Sequence, residues 1–120
     1  MSNELKDVDI MVNETCRALV EKKAGDIKII RVGEVSVIAD YFIVAHGNNP
    51  SQITAMVDGV EEALSKAGFE HKNIEGIKNN SWILMDYGDV IVHIFSREDR
   101  DFYNLEHIWG DCEIKSYEQS

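Results

Sequence analysis

Two carboxylates three positions apart, Asp86 and Asp89 in the stretch WILMDYGDVIVHIF (Trp82–Phe95), have the residue types and spacing that could do chemistry. Paired acids at a strand end bind Mg²⁺ in phosphoryl-transfer enzymes, and His93 could join them. Nothing near them resembles a Gly-rich phosphate loop or a catalytic Lys, since AHGNNP has a single Gly before its helix. A sheet histidine packed among neighbours is the plainer reading of His93. His46, at a strand end just before a helix, could serve an anion site or be an incidental loop residue. Cys16 and Cys112 lie far apart with no CxxC or Cys/His cluster, which argues against zinc and against a disulfide framework.

The elements that hold Asp86 and Asp89 can be read directly. Two apolar runs broken at a Gly form a β-hairpin. With Tyr87-Gly88 as its two-residue loop, Asp86 falls opposite Asp89, Leu84 opposite Ile91 and Trp82 opposite His93. Alternation puts Trp82, Leu84, Asp86, Asp89, Ile91, His93 and Phe95 on one face, and Ile83, Met85, Val90, Val92 and Ile94 on the other. Both faces are largely apolar, as in strands packed on both sides. Like charges facing each other destabilise a strand pair. The turn is therefore well solvated or visited by a cation, although Asp is also common at turns for its own hydrogen bonding.

Around the hairpin the periodicity predicts an α/β protein. Val8, Val12, Cys16 and Leu19 share a helical face, in a helix expected to end at Gly25. DIKIIRV (Asp26–Val32) and DYFIVAHG (Asp40–Gly47) read as strands. Asn49 is a candidate N-cap with Pro50 at the first helical position, followed by Ile53, Val57, Val60 and Leu64, and a stop at Gly68. Residues 69–81 read as an extended polar loop, with room for a short strand at its start. A helix bearing Phe102, Leu105 and Trp109 ends at Gly110, and CEIKSY closes the chain as a strand. The expected order is αββαββαβ, a mixed five-stranded sheet flanked by helices.

At 120 residues, 44% hydrophobic and 28% charged, the chain is expected to form a single domain spanning 1–120. Its net charge is -10, and from Trp82 onward nine acids face Arg97, Arg100 and Lys115, a net -6. That balance disfavours direct nucleic-acid contact and attracts a basic protein partner, though excess acid also simply keeps a small protein soluble. No apolar run reaches membrane length and the N-terminus lacks a signal or transit pattern, so a soluble, cytoplasmic protein is expected. Trp82, Tyr103 and Trp109 are large aromatics framed by charge, a combination favoured at interfaces and also common in cores.

Five segments in this order carry a resemblance: ADYFIVAHGN (Ala39–Asn48), Gln52 with Asp58, Glu75-Gly76, the hairpin WILMDYGDVIVHIF, and RDFYNLEHIW (Arg100–Trp109). Together they resemble the ribosomal silencing factor, or Iojap-like, family over about Val8 to Asp111. His46 departs from that family's usual small residue. The resemblance implies a nucleotidyltransferase-like fold without catalysis and without a cofactor. The signature of those enzymes needs a Gly-Ser and an Asp-x-Asp, and this chain has no Gly-Ser and only Asp86-Tyr-Gly-Asp89 across a turn. It further implies a translational repressor that binds the large ribosomal subunit through its fourteenth universal protein and blocks joining of the small subunit. On that reading the partner surface comprises Trp82, Met85, Asp86, Tyr87 and Asp89 with Arg100, Tyr103 and Glu106. Exposed aromatics also allow a homodimer of the free protein. The competing expectation is a metal-dependent nucleotide-binding or nucleotidyltransferase-type enzyme using Asp86 and Asp89.

Overall fold

The computed structural model describes residues 3–33, 37–77, 81–103 and 105–117, the side chains of residues 3–6, 77 and 102–106 excepted. Along these residues the chain forms α1 (Asn3–Glu21), β1 (Gly25–Arg31), β2 (Tyr41–Gly47), α2 (Pro50–Lys66) and β3 (Asn73–Ile77). It continues through β4 (Trp82–Asp86), β5 (Val90–Ser96), α3 (Arg97–Tyr103), α4 (Leu105–Ile108) and β6 (Glu113–Ser116).

The strands make one six-stranded sheet in the order β3-β4-β5-β2-β1-β6. The central β2–β5 pair is parallel and every other neighbouring pair is antiparallel, so the sheet is mixed as expected. Its strand count is six rather than the expected five. The added strand is β3, inside the stretch read as a loop. Asn73–Ile77 is only five residues long, and Gly76 stands where an apolar residue would have continued the alternation from Ile74. Pairing with β4, Ile74 beside Met85 and Glu75 beside Leu84, supplies what the local sequence does not.

Helices α1 and α2 pack side by side on one face of the sheet. Cys16, Leu19, Met56, Val60 and Leu64 bury themselves there against Ile43, Met85, Val90, Val92 and Ile94. Each large apolar side chain so buried contributes about 1.5–3 kcal/mol relative to exposure. The opposite face holds a smaller cluster of Ile30, Val32, Val44, Ile91 and Phe95, with Phe42, Trp82, Leu84, Trp109 and Ile114 only partly buried around it.

Both long helices stop in the same way. At the end of α2, Gly68 has φ +96. Its N–H reaches the Ser65 carbonyl at 3.0 Å and the Phe69 N–H reaches Leu64 at 2.8 Å, a Schellman motif. The end of α1 repeats it with a lysine: Lys23 has φ 61. There the Lys23 N–H reaches Val20 at 2.9 Å and Ala24 reaches Leu19 at 3.0 Å. The helix thus ends before Gly25, whose role is different. A Cβ on Gly25 would lie 2.2 Å from the His46 ring, so the glycine admits that ring onto the strand. At the start of α2 the Asn49 side chain caps the Gln52 N–H at 2.8 Å, with Pro50 in the first turn, as expected. Gln52 then joins the two helices, its side-chain N–H groups donating to the carbonyls of Lys22 at 3.0 Å and Lys23 at 2.9 Å.

Candidate functional site

The β4–β5 hairpin keeps the expected faces but not the expected register. Trp82 pairs with Phe95, Leu84 with His93 and Asp86 with Ile91, a slip of two residues. The two-residue loop is Gly88-Asp89, closed by the Tyr87 N–H donating to the Val90 carbonyl at 3.0 Å. Gly88 takes φ +88, the conformation that the first loop position of a type II′ turn demands. Asp86 and Asp89 are therefore not cross-strand partners. Asp86 Oδ1 instead accepts from the Gly88 N–H at 2.8 Å. The Asp89 carbonyl accepts from the N–H groups of Asp40 at 2.8 Å and Tyr41 at 3.1 Å, fastening the turn to the start of β2. A cation does visit the turn, and it is the chain's own: Lys72 Nζ lies 3.1 Å from where a Cβ on Gly88 would stand.

Alternation decides which of the expected partner residues can be reached. Met85 and Tyr87 lie on the helical face, with Met85 fully buried and Tyr87 6% exposed. With so little of either side chain reachable, they are not the exposed anchors expected. The Tyr87 hydroxyl has no hydrogen-bond partner, and burial, then Glu61 and Glu70, pushes its pKa up to about 12. Trp82 and Asp86 are half-buried on the opposite face, and Asp89 is exposed at the turn. The side chains of Tyr103 and Glu106 lie outside the described residues.

Arg100 is 6% exposed and its guanidinium is committed inside the molecule. It donates to the Gly25 carbonyl at 3.1 Å, contacts His46 Nδ1 at 3.0 Å and pairs with Asp26 Oδ2 at 3.5 Å. It ties α3 to β1 and β2, which is a structural duty rather than the expected exposed contact. His46, which sequence reasoning left as an anion ligand or a loop residue, is part of this clasp. Burial first, then the charges of Arg100 and Arg97, lower its pKa. Asp99 is fixed in the same corner: its side chain bonds Ser81, and its N–H is capped by Ser96 Oγ at 3.1 Å.

His93 is 4% exposed, and burial pushes its pKa down to about 4. It is neutral at physiological pH, accepting from Trp82 Nε1 at its Nδ1 over 3.2 Å, while Nε2 is buried without a partner. Rings enclose it: Phe42 lies edge-on at 4.6 Å, and Phe95, parallel to it at 6.3 Å, also stacks on Trp82 at 5.0 Å. This is a packed histidine and not an accessible base. Cys16 is likewise sealed, its thiol pushed up to about 12 by burial. Among the described residues no group of three or more His, Cys, Asp or Glu side chains could hold a metal ion.

What the strands do assemble is a surface. Cross-strand register places Asn73 beside Asp86 and Glu75 beside Leu84 on the face away from α1 and α2. Helix α3 lies against β5 and β2. Trp82 and Leu84 are left half-buried, bordered by Asp86 and the exposed Glu75. Leu84 and Glu75 were not among the expected partner residues. Leu84 was legible from its alternation with Trp82 and Asp86, whereas Glu75 was noted only within the resembling pair Glu75-Gly76, its strand having read as a loop.

Comparison with known proteins gives this surface a context. A family model described as ribosomal silencing factor during starvation matches residues 5–120. A ribosomal silencing factor of Bacillus subtilis is 37% identical over 94 residues, covering 78% of this chain and 80% of its own. A mouse protein named mitochondrial assembly of ribosomal large subunit protein 1 is 28% identical over 106 residues, 86% of this chain and 45% of its own length. In a crystal structure, a Chromobacterium violaceum protein has the same fold with a TM-score of 0.79 at 29% identity, covering 92% of this chain and 88% of that one. A match spanning nearly every residue, together with a shared fold, means that the chain belongs to the ribosomal silencing factor family.

Proposed function

We propose that this protein represses translation by seating the half-open face of β3 and β4 on the large ribosomal subunit, through its fourteenth universal protein, and blocking the small subunit from joining. The observation that carries the reading is the patch itself: Trp82 and Leu84 are partly uncovered on a sheet face and bordered by Asp86 and Glu75. Aromatic anchors inside a charged rim are the usual make-up of a hot spot. Acidic borders suit a basic ribosomal protein and repel rRNA phosphates. The name of the mouse relative, which concerns assembly of the ribosomal large subunit, points toward the same subunit.

On this reading silencing is occupancy rather than turnover. A body measuring 42 × 33 × 31 Å is thick enough to hold two rigid surfaces apart. Trp82, Asp86 and Asp89 are the contact residues within the described part, with Tyr103 and Glu106 retained as proposed contacts and the site of action cytoplasmic. The test is co-sedimentation with separated large and small subunits, followed by light scattering of subunit joining at increasing ratios of protein. Binding to the large subunit alone, with inhibition complete near one copy per subunit, is the expected result. Complete inhibition well below one copy, or a requirement for added nucleotide, would instead reveal catalysis and overturn the occupancy reading.

A further inference from the structure

The helical face has an opening of its own. Two helices, each about 10 Å across, cannot cover six strands spaced about 4.8 Å apart. Helix α2 lies over β5 and β2, and the β3–β4 side of the sheet extends beyond it. Beside α2 runs a groove of about 850 Å³ reaching from the start of that helix to the start of α3. Its apolar walls are Ile53 and Val57 of α2 with Ile74 and Ile83 of the sheet. Ile53 and Ile83 are nearly covered, while Val57 and Ile74 remain half-exposed.

The border of the groove has a definite sign. Among the described residues, Asp58, Glu98 and Asp101 line it against the single base Arg97, and all four are exposed. The whole chain adds to that field with its net charge of -10. A phosphate-bearing ligand would be repelled, whereas an apolar side chain flanked by Lys or Arg finds both its needs met within one groove. This chain's own stretch of that pattern, Lys28-Ile29-Ile30-Arg31, is held in β1 between β2 and β6, so it is not free to enter the groove of a second copy.

We infer that this groove is a second docking site, for an extended basic peptide segment of another protein that seats one aliphatic side chain between α2 and β3. It lies on the opposite side of β3 and β4 from Trp82 and Asp86, so both sites can be filled at once. The inference does not depend on what the other face binds.

The test uses three fluorescently labelled peptides of one length: a central Leu flanked by Lys and Arg, the same with Ser replacing Leu, and the same with Glu replacing every base. Anisotropy should report binding of the first peptide, at least about tenfold weaker binding of the second, and none of the third. Asp58→Lys with Asp101→Lys should weaken the first peptide by about tenfold or more. Asp7→Lys with Asp9→Lys changes net charge equally on exposed positions of α1 and should leave it nearly unchanged. Peptide-induced amide shifts should fall on residues 48–58 and 96–101. Equal effects of the two double variants would mean attraction by net charge alone and would overturn the site. So would shifts confined to the Trp82 face, indifference to the loss of Leu, or saturation by inorganic phosphate. A dimer in sedimentation that Asp58→Lys with Asp101→Lys disrupts, with no peptide bound by wild type, would assign the groove to a second copy instead. Co-sedimentation of the Asp58→Lys, Asp101→Lys protein with large subunits should match wild type, which keeps this outcome separate from that of the proposed ribosome contact.

Discussion

On one side of β4 and β5 stand Met85, Val90, Val92 and Ile94, packed beneath the helices, with Ile83 at the edge of the groove beside α2. On the other stand Trp82, Leu84, Asp86 and His93, where among the described residues Val32, Ala39, Trp109, Cys112 and Ile114 belong to the smaller cluster. The same two strands therefore serve a sealed face and a partly open one. Aliphatic side chains of nearly uniform size fill the sealed face, where packing density sets stability. The open face mixes indole, imidazole, leucine and carboxylate, a composition that packs less economically but offers a partner both area and charge. On the proposed reading, stability and recognition fall to alternate residues of one hairpin, and substitutions should separate them by parity.

The largest separation should come from Met85→Ala. Met85 is fully buried, and truncating such a side chain costs roughly 2–5 kcal/mol of stability. Urea denaturation measures the loss, and large-subunit binding by the folded fraction should be unchanged. If Met85→Ala weakens binding without weakening the fold, the sealed face is not sealed.

His93 gives the open face its own contribution to stability, and one that depends on pH. Its folded pKa of about 4 lies below the ordinary 6.5, so its contribution is complete above pH 6.5 and is lost as pH falls toward 4. The full loss is about 3 kcal/mol by linkage. His46, shifted in the same direction, adds to the trend. Urea midpoints between pH 7.5 and 4.5 should fall more steeply for wild type than for His93→Gln. Parallel curves would show that His93 does not titrate during unfolding.

Trp82→Ala should then cost at least about 2 kcal/mol of large-subunit binding per folded molecule. Wild-type affinity in a folded Trp82→Ala protein would remove the anchor from the proposed interface. The smallest effect belongs to Asp86→Asn with Asp89→Asn. Asn can keep the Oδ1 contact to Gly88, so stability should stay within about 0.5 kcal/mol. Association with the large subunit should slow at low salt and converge with wild type as salt rises. An unchanged rate at low ionic strength would leave these carboxylates without a steering role.

The division into faces was legible in the sequence, because alternation needs only the order of residues. The register was not. A slip of two residues returns every side chain to its own face, so the apolar pattern cannot distinguish Asp86 opposite Asp89 from Asp86 opposite Ile91; only the positive φ of Gly88 settles it. The N-cap of α2 could be read because Asn49 and Pro50 act locally. The stop of α1 could not, since a lysine in the left-handed region leaves no trace in composition. Gly25 was visible, but its reason was a ring 21 positions away at His46. Arg100 shows the same limit at the site. An arginine among acids reads as a surface cation, and only the meeting of α3 with the start of β1 turns it inward.

The parallel pairing of β2 with β5 has a consequence for how the chain acquires this structure. Tyr41 aligns with Val90 and Gly47 with Ser96, so the two central strands meet only after all of α2, β3 and β4 has been threaded between them. Local pieces such as the β3–β4–β5 meander can form within microseconds, but the contact that joins the two halves of the sheet must close a long loop before it is rewarded. The central seam should therefore form late and limit the folding rate. During synthesis β2 must wait for β5, with Ile43, Val44 and Ala45 still lacking their partner strand. Until then this apolar strand is an open edge, and the interval in which the nascent chain can pair with the wrong neighbour is set by the time needed to make the residues in between.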